Sequence, residues 1–187
     1  MWMILFLEIQ QCSSRIFSSQ GKYARTLITK FGLDKAKPKR TPTVLHLKLS
    51  KDDYGERLDE NLYRNIIGSR LYLSTIRLDI AFAMGICARY QASPHVSHLH
   101  SAKRILKYVL GIIDYGLWYT YDTSLALVGF YDVDWVGCSD DKKSTSGSCF
   151  FLGNNLIAWF SKKQNNVSLS TAEAEYIAAG SSCTQLL

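Results

Sequence analysis

From residue 60 to residue 110 apolar side chains recur every three or four positions, whereas from Gly116 onward they gather into short β-rich runs divided by turn residues. That change of period dictates a mixed α+β chain. The helical stretches predicted are residues 60–76 (Leu62, Ile66, Ile67, Leu71, Leu73), 79–91 (Ile80, Ala83, Met84, Cys87) and 97–110 (Leu99, Ala102, Leu106, Val109). Gly111 stands just past the last of these, and Lys103, Arg104 and Lys107 form its other face. The later runs "GLWYTY", "LALVGFYDVDW", "TSGSCFFLG" and "LIAWFSK" read as strands, separated by turns at residues 140–143 and 153–155. A helix starting near Ser170 follows.

The chain opens differently. Residues 3–10 and 15–19 read as a small antiparallel β-hairpin, and "GKYARTLITKF" as a helix that Gly32 stops. The segment "KAKPKRTPTV" carries two of the three prolines and four basic residues, as a linker or extended arm does. The architecture expected is a β-hairpin, a helical middle, and a sheet of three or four strands with one helix. Two parts are expected, residues 1–115 and 116–187.

Charge is unevenly placed. Of 22 basic and 16 acidic side chains, residues 1–123 hold 18 and 10, so the first part carries the positive charge and the second is weakly negative. A basic surface invites a polyanion, although a solvated basic face has the same composition. Five dispersed cysteines with no C-x-x-C pair indicate reduced thiols and an intracellular, cytoplasmic or nuclear setting. The opening "MWMILFLEIQQ" is short, lacks a preceding basic residue and is broken by Glu8, so secretion is not expected; nor is a membrane span.

Candidate chemistry begins in "GFYDVDWVG". Asp132 and Asp134 stand two apart and share one face of a strand, as a turn or a divalent-cation site both permit. The last helix offers further acids. Ser170 and Glu173 make the S-x-x-E pattern of a capping box, giving Glu173 a structural task. Glu175, about 200° further around, is free to turn toward Asp132. Two other groups are set aside. "SKDDYG" reads as a loop around Asp52 and Asp53 with no apolar hairpin beside it. His95, His98 and His100 read as capping or packing residues in the absence of nearby cysteines.

Several motifs in order then establish a resemblance. "GFYDVDWVGCSDDKKSTSGSCFFLGNNLIAWFSKKQNNVSLSTAEAEYIAAG" resembles the start of the ribonuclease H region of copia-type retrotransposon polyproteins. "FLEIQQ", "IFSSQGKYARTLITKFG", "LKLSKDD", "LYRNIIGSRLYLSTIRLDIAFAM" and "HLHSAKRILKYVLGIIDYGLWY" resemble the end of their reverse transcriptase. The resemblance implies that residues 1–115 are the last palm hairpin, thumb and connection, and residues 116–187 the opening part of ribonuclease H. It implies Asp132 and Glu175 as metal-binding and catalytic acids, with Mg²⁺ as the parent enzyme's cofactor. Lys103, Arg104, Lys107, Lys162 and Lys163 become candidate phosphate contacts to an RNA–DNA hybrid. Leu7 before Glu8 and Tyr131 beside the first acid depart from the family pattern. Further acids are expected beyond Leu187, in polyprotein segments that would be partners. The expectation is therefore of a catalytically inactive fragment that keeps weak nucleic-acid binding; the alternative is a repurposed interaction or secreted effector protein.

Overall fold

The computed structural model of the chain describes residues 7–44, 48–52 and 54–186. It has the expected mixed α and β architecture, in two compact units: Met1–Leu45 with Asp52–Trp118, and His46–Lys51 with Tyr119–Leu187.

In the first unit, β1 (Glu8–Gln11) runs antiparallel to β2 (Arg15–Ser19), from Glu8↔Ser19 to Gln11↔Ile16. The residues before Leu7 in the expected first strand lie outside the described residues. The third strand of this sheet is β3 (Gly116–Thr120), next to β2. Alternation alone assigned that run to the later sheet. Aromatic packing decides otherwise: Trp118 meets the Phe17 ring at 4.7 Å, and the Arg15 guanidinium lies 4.0 Å over the Trp118 ring.

Helix α1 (Gly21–Lys30) buries Ala24, Leu27 and Ile28 at helical spacing. Gly32 ends the run with φ +63, a backbone turn that residues with a Cβ adopt only at a cost. Helix α2 (Glu60–Leu71) starts where the Asp59 carboxylate accepts the Leu62 N–H at 2.7 Å. It ends earlier than its apolar pattern suggests and gives way to a 3₁₀ turn, Leu73–Thr75. Helices α3 (Leu78–Ala88) and α4 (Val96–Leu110) complete the core, which contains Tyr63, Ile67, Ile80, Met84, Leu106 and Val109. The sequence pattern expected Leu99 inside; fully buried His98 takes the inward place. Its Nδ1 accepts the His95 N–H at 2.9 Å and its ring stacks on Tyr90 at 4.2 Å, so these histidines cap and pack. Asp52 belongs to a loop as read, with φ +52 and a 2.6 Å hydrogen bond from Ser97 Oγ; Asp53 lies outside the described residues.

One side chain in this core is out of keeping with its surroundings. Arg70 is fully buried between Tyr63 and the Phe31 ring, 4.4 Å from its guanidinium. Nη1 donates to the Ile66 carbonyl at 2.7 Å, while Nε and Nη2 have no partner among the described residues. Burial lowers its pKa to about 10 and pushes the nearby Cys87 thiol up to about 12, so that thiol is inert at neutral pH.

The second unit is a meander. Strands β4 (Leu127–Asp134), β5 (Thr145–Leu152) and β6 (Asn155–Lys163) pair antiparallel in chain order, and β4 keeps an unbroken register from Leu127↔Leu152 to Asp134↔Thr145. Helix α5 (Thr171–Leu186) lies on β4 and β5 through Ala174, Ala178 and Ser182.

A buried cation with no counter-charge among the described residues and two of its nitrogens unbonded costs more than an apolar side chain of similar length. Arg70→Met is therefore expected to raise the unfolding free energy by about 1 kcal/mol, read from the urea midpoint at pH 7. A lower midpoint would show that the contacts with Phe31 and Ile66 outweigh the cost of burial.

Candidate functional site

The helix carrying Glu175 is set in place by local hydrogen bonds. Glu173 N–H donates to Ser170 Oγ at 3.2 Å, the first half of the box expected from S-x-x-E, whereas Glu173 Oε2 accepts the N–H of Leu169, one residue before the cap, at 2.7 Å in place of the Ser170 N–H. Gln164, only 6% exposed, ties that start to the sheet. Its Nε2 donates to Ser146 Oγ at 3.0 Å and to the Ala174 carbonyl at 2.9 Å, while its Oε1 accepts from Ser168 Oγ at 3.0 Å. Further along, Ser148 Oγ and Ser182 Oγ meet at 2.6 Å. With Ala174, Ala178 and Ser182 against the sheet, Ile177 and Ser181 look over β6. Glu175 lies about 160° around the helix from Ile177, on the flank toward the free edge of β4.

Asp132 reaches that edge from the other side. A Cβ on Gly129 would meet the Phe150 ring at 3.1 Å and Leu186 at 3.2 Å, so this position faces α5 and only a glycine leaves room for both neighbours. The regular register makes sides alternate, which turns Phe130, Asp132 and Asp134 away from the helix. The two candidate acids thus approach one rim of the sheet from opposite faces of β4. Asp132 is exposed and Glu175 half-buried. Asp134 differs from Asp132: its carboxylate folds back over the Gly137 backbone in the turn after β4. That turn is tight, for Val136 has φ +50 and its N–H bonds Ser144 Oγ at 3.1 Å.

As hard oxygen donors, Asp132 and Glu175 suit Mg²⁺. Among the described residues no group of three or more His, Cys, Asp or Glu side chains is placed to hold a metal ion. Two carboxylates on opposite faces of one strand do not by themselves define a coordination shell.

The basic candidates separate by what they touch. Lys163 Nζ lies 2.6 Å from Asp141 Oδ2 and 3.6 Å from Cys138 Sγ, so its charge is neutralised inside the second unit. Burial opposes ionisation of Asp141, but hydrogen bonds from Lys163, Cys138 and the Lys143 N–H hold its carboxyl at about 2. Lys162 is exposed and makes no ion pair among the described residues. On α4, the Arg104 guanidinium donates to Thr41 Oγ1 at 2.9 Å, and the Lys107 carbonyl accepts the Lys39 N–H at 3.0 Å. The basic arm is thereby laid along α4, joining exposed Lys37, Lys39 and Arg40 to Lys103, Arg104 and Lys107. Sequence spacing flagged both basic stretches; the juxtaposition rests on contacts between residues more than 60 positions apart.

Two outcomes test this geometry. Gln164→Leu, which strands Ser146, Ser168 and the Ala174 carbonyl, is expected to cost about 2 kcal/mol in a urea titration of the second unit's signals. The depressed Asp141 pKa means that its ion pair contributes stability above about pH 4, lost as pH falls toward about 2. Because the pair is partly exposed, Asp141→Asn should lower stability at pH 7 by only about 0.5 kcal/mol. The difference between variant and wild type should shrink as pH falls toward about 2 and vanish only below it.

The chain was compared with known proteins. No protein-family model matches it, and no solved structure matches it. It is 36% identical over 182 residues to Uncharacterized mitochondrial protein AtMg00810 of Arabidopsis thaliana, covering 97% of this chain and 75% of that one. It is 33% identical over 182 residues to the Retrovirus-related Pol polyprotein from transposon RE2 of the same plant, covering 97% of this chain but 12% of the polyprotein. Over 117 residues it is 38% identical to Secreted RxLR effector protein 161 of Plasmopara viticola, covering 62% of this chain and 82% of the effector. The segments flanking Asp132, Glu175 and the α4 basic face fall within the nearly full-length matches, and the chain belongs to the family of copia-type retrotransposon Pol polyproteins.

Proposed function

We propose that this chain corresponds to the stretch of a copia-type Pol polyprotein that joins the end of reverse transcriptase to the start of ribonuclease H. In this reading the first unit is the closing hairpin, thumb and connection, and the second carries the opening strands and first helix of the nuclease. The observation that supports it most is the second unit itself. An antiparallel meander bears Asp132 on its edge strand, and a helix capped by Ser170 turns Glu175 to the same rim.

The function proposed for these 187 residues is binding of a nucleic-acid duplex through its phosphates, without cleavage. The basic arm held along α4 supplies the positive surface, and phosphate contacts position a duplex without reading its sequence. Hydrolysis by two metal ions needs a coordination shell fixed to within fractions of an ångström. Asp132 and Glu175, approaching one rim of the sheet from opposite faces of β4, would supply only part of such a shell. Mg²⁺ would be the ion they help hold in the parent enzyme, activating the attacking water and stabilising the leaving oxygen.

A second reading, a secreted or repurposed interaction protein, draws on the 117-residue match to the effector. It uses the same surfaces without nucleic acid. Binding of a hybrid separates the two.

The deciding experiment places the purified chain with a labelled RNA–DNA hybrid and Mg²⁺ at low salt. The wild type should retard the hybrid and leave its RNA strand intact, as should Asp132→Asn. Retardation should fade as salt rises, each phosphate contact adding about 0.9 to the slope. Lys39→Ala with Lys107→Ala should weaken binding and flatten that slope. RNA cleavage that disappears in either Asp132→Asn or Glu175→Gln overturns the non-cleaving assignment. A wild type that binds no hybrid leaves the interaction-protein reading standing.

A further inference from the structure

We infer that the second unit has its own phosphodiester subsite, in a cleft between β6 and α5, on the flank of the helix opposite Glu175. The inference rests on the duplex-binding reading and adds a contact that the basic face of α4 does not supply.

The cleft has a volume of ≈ 200 Å³. Phe160 and Ile177 form its apolar wall, and Lys162, Asn165, Asn166 and Ser181 bring polar groups to it. Its floor does not give way easily, because the buried Gln164 carboxamide beneath it is held by Ser146, Ser168 and the Ala174 carbonyl. The charges around it are already settled, with one exception. Lys163 is paired with Asp141, and the Glu173 carboxylate is engaged by the Leu169 N–H. Among the described residues that leaves Lys162 as the cation around the cleft with no counter-charge, and no Asp or Glu lines it. The carboxamides of Asn165 and Asn166 have no hydrogen-bond partner among the described residues.

One unpaired ammonium, two open carboxamides and a hydroxyl around a small cleft suit an anion with several oxygen acceptors. The apolar wall gives the sugar of a nucleotide a surface to rest on, which an inorganic anion does not use. The occupant we assign is therefore the phosphodiester backbone of a nucleic-acid strand. Lys162 would pair with a phosphate, Asn165 and Asn166 would bond phosphate or sugar oxygens, and Phe160 with Ile177 would meet the sugar.

The test is hybrid binding by fluorescence anisotropy, with the full chain and a salt series. Lys162→Gln should weaken binding about fivefold and reduce the salt slope by about one. Asn166→Ala should weaken it about threefold with the slope unchanged. Lys142→Gln, an exposed lysine outside the cleft, should change affinity by less than about twofold. In spectra of the labelled chain, the hybrid should shift the amides of Asn165, Asn166 and Ser181, and inorganic phosphate at matched ionic strength should not saturate those shifts. Far-ultraviolet circular dichroism of each variant confirms that the fold is kept. Equal losses in Lys162→Gln and Lys142→Gln would reveal diffuse charge attraction and overturn the subsite. So would wild-type affinity in both cleft variants, or saturation by phosphate alone. Absence of any hybrid binding by the wild type would overturn both the subsite and the duplex-binding reading; loss of the subsite with hybrid binding intact would leave that reading in place.

Discussion

The carboxamide of Gln164 is the joint on which the second unit depends. A helix whose inward face is Ala174, Ala178 and Ser182 has little apolar area to hold it on a sheet. Burial of three small side chains fixes distance but leaves rotation about the helix axis loosely defined. The Gln164 bonds to Ser146 on β5 and to the Ala174 carbonyl on α5 supply that rotational constraint, and the Ser148–Ser182 contact repeats it two turns later. A buried network of this kind is effective because each member is satisfied; one unpaired group would cost more than the bond it replaced. The direction of Glu175 on one flank, and of the open cleft on the other, both follow from that constraint.

Charge follows the same economy of partners. Most basic candidates that look equivalent in the sequence are unequal once their neighbours are known. Lys163 is absorbed by Asp141, Arg104 holds an extended arm in place through Thr41, and Lys162 has no ion-pair partner among the described residues. The arm adds Lys37, Lys39 and Arg40 to the surface of α4, so the positive field is built from two stretches of chain rather than one helix face. Arg70 is the converse case, a cation withdrawn into the core with only part of its hydrogen-bonding capacity used. Its pKa and that of Cys87 are both displaced by burial, in the opposite directions that burial imposes on a base and an acid.

The sheet of the second unit has one face under α5 and another that carries Val128, Phe130, Asp132 and Phe151, with Phe130 and Phe151 edge to face at 5.9 Å. Asp132 stands on this second face beside aromatic side chains that remain partly exposed. The transposon Pol polyproteins that this chain matches are about eight times longer than this stretch.

What the amino-acid sequence determined by itself are the features that close within a few residues. The change of period near Gly111–Gly116, the stop at Gly32 and the Ser170 cap on Glu173 N–H were legible because their causes are local: side-chain spacing, a left-handed backbone, and a hydrogen bond between residues three apart. Family resemblance named Asp132 and Glu175, and spacing alone gave Glu173 its cap. Tertiary structure decided the rest. It set β3 beside β2 through Trp118 and Phe17, placed His98 rather than Leu99 inside, and laid the basic arm on α4. It also turned Asp132 away from the helix that carries Glu175. Each of these depends on a contact between side chains far apart in the chain, and a residue's own spacing carries no information about which distant partner will reach it.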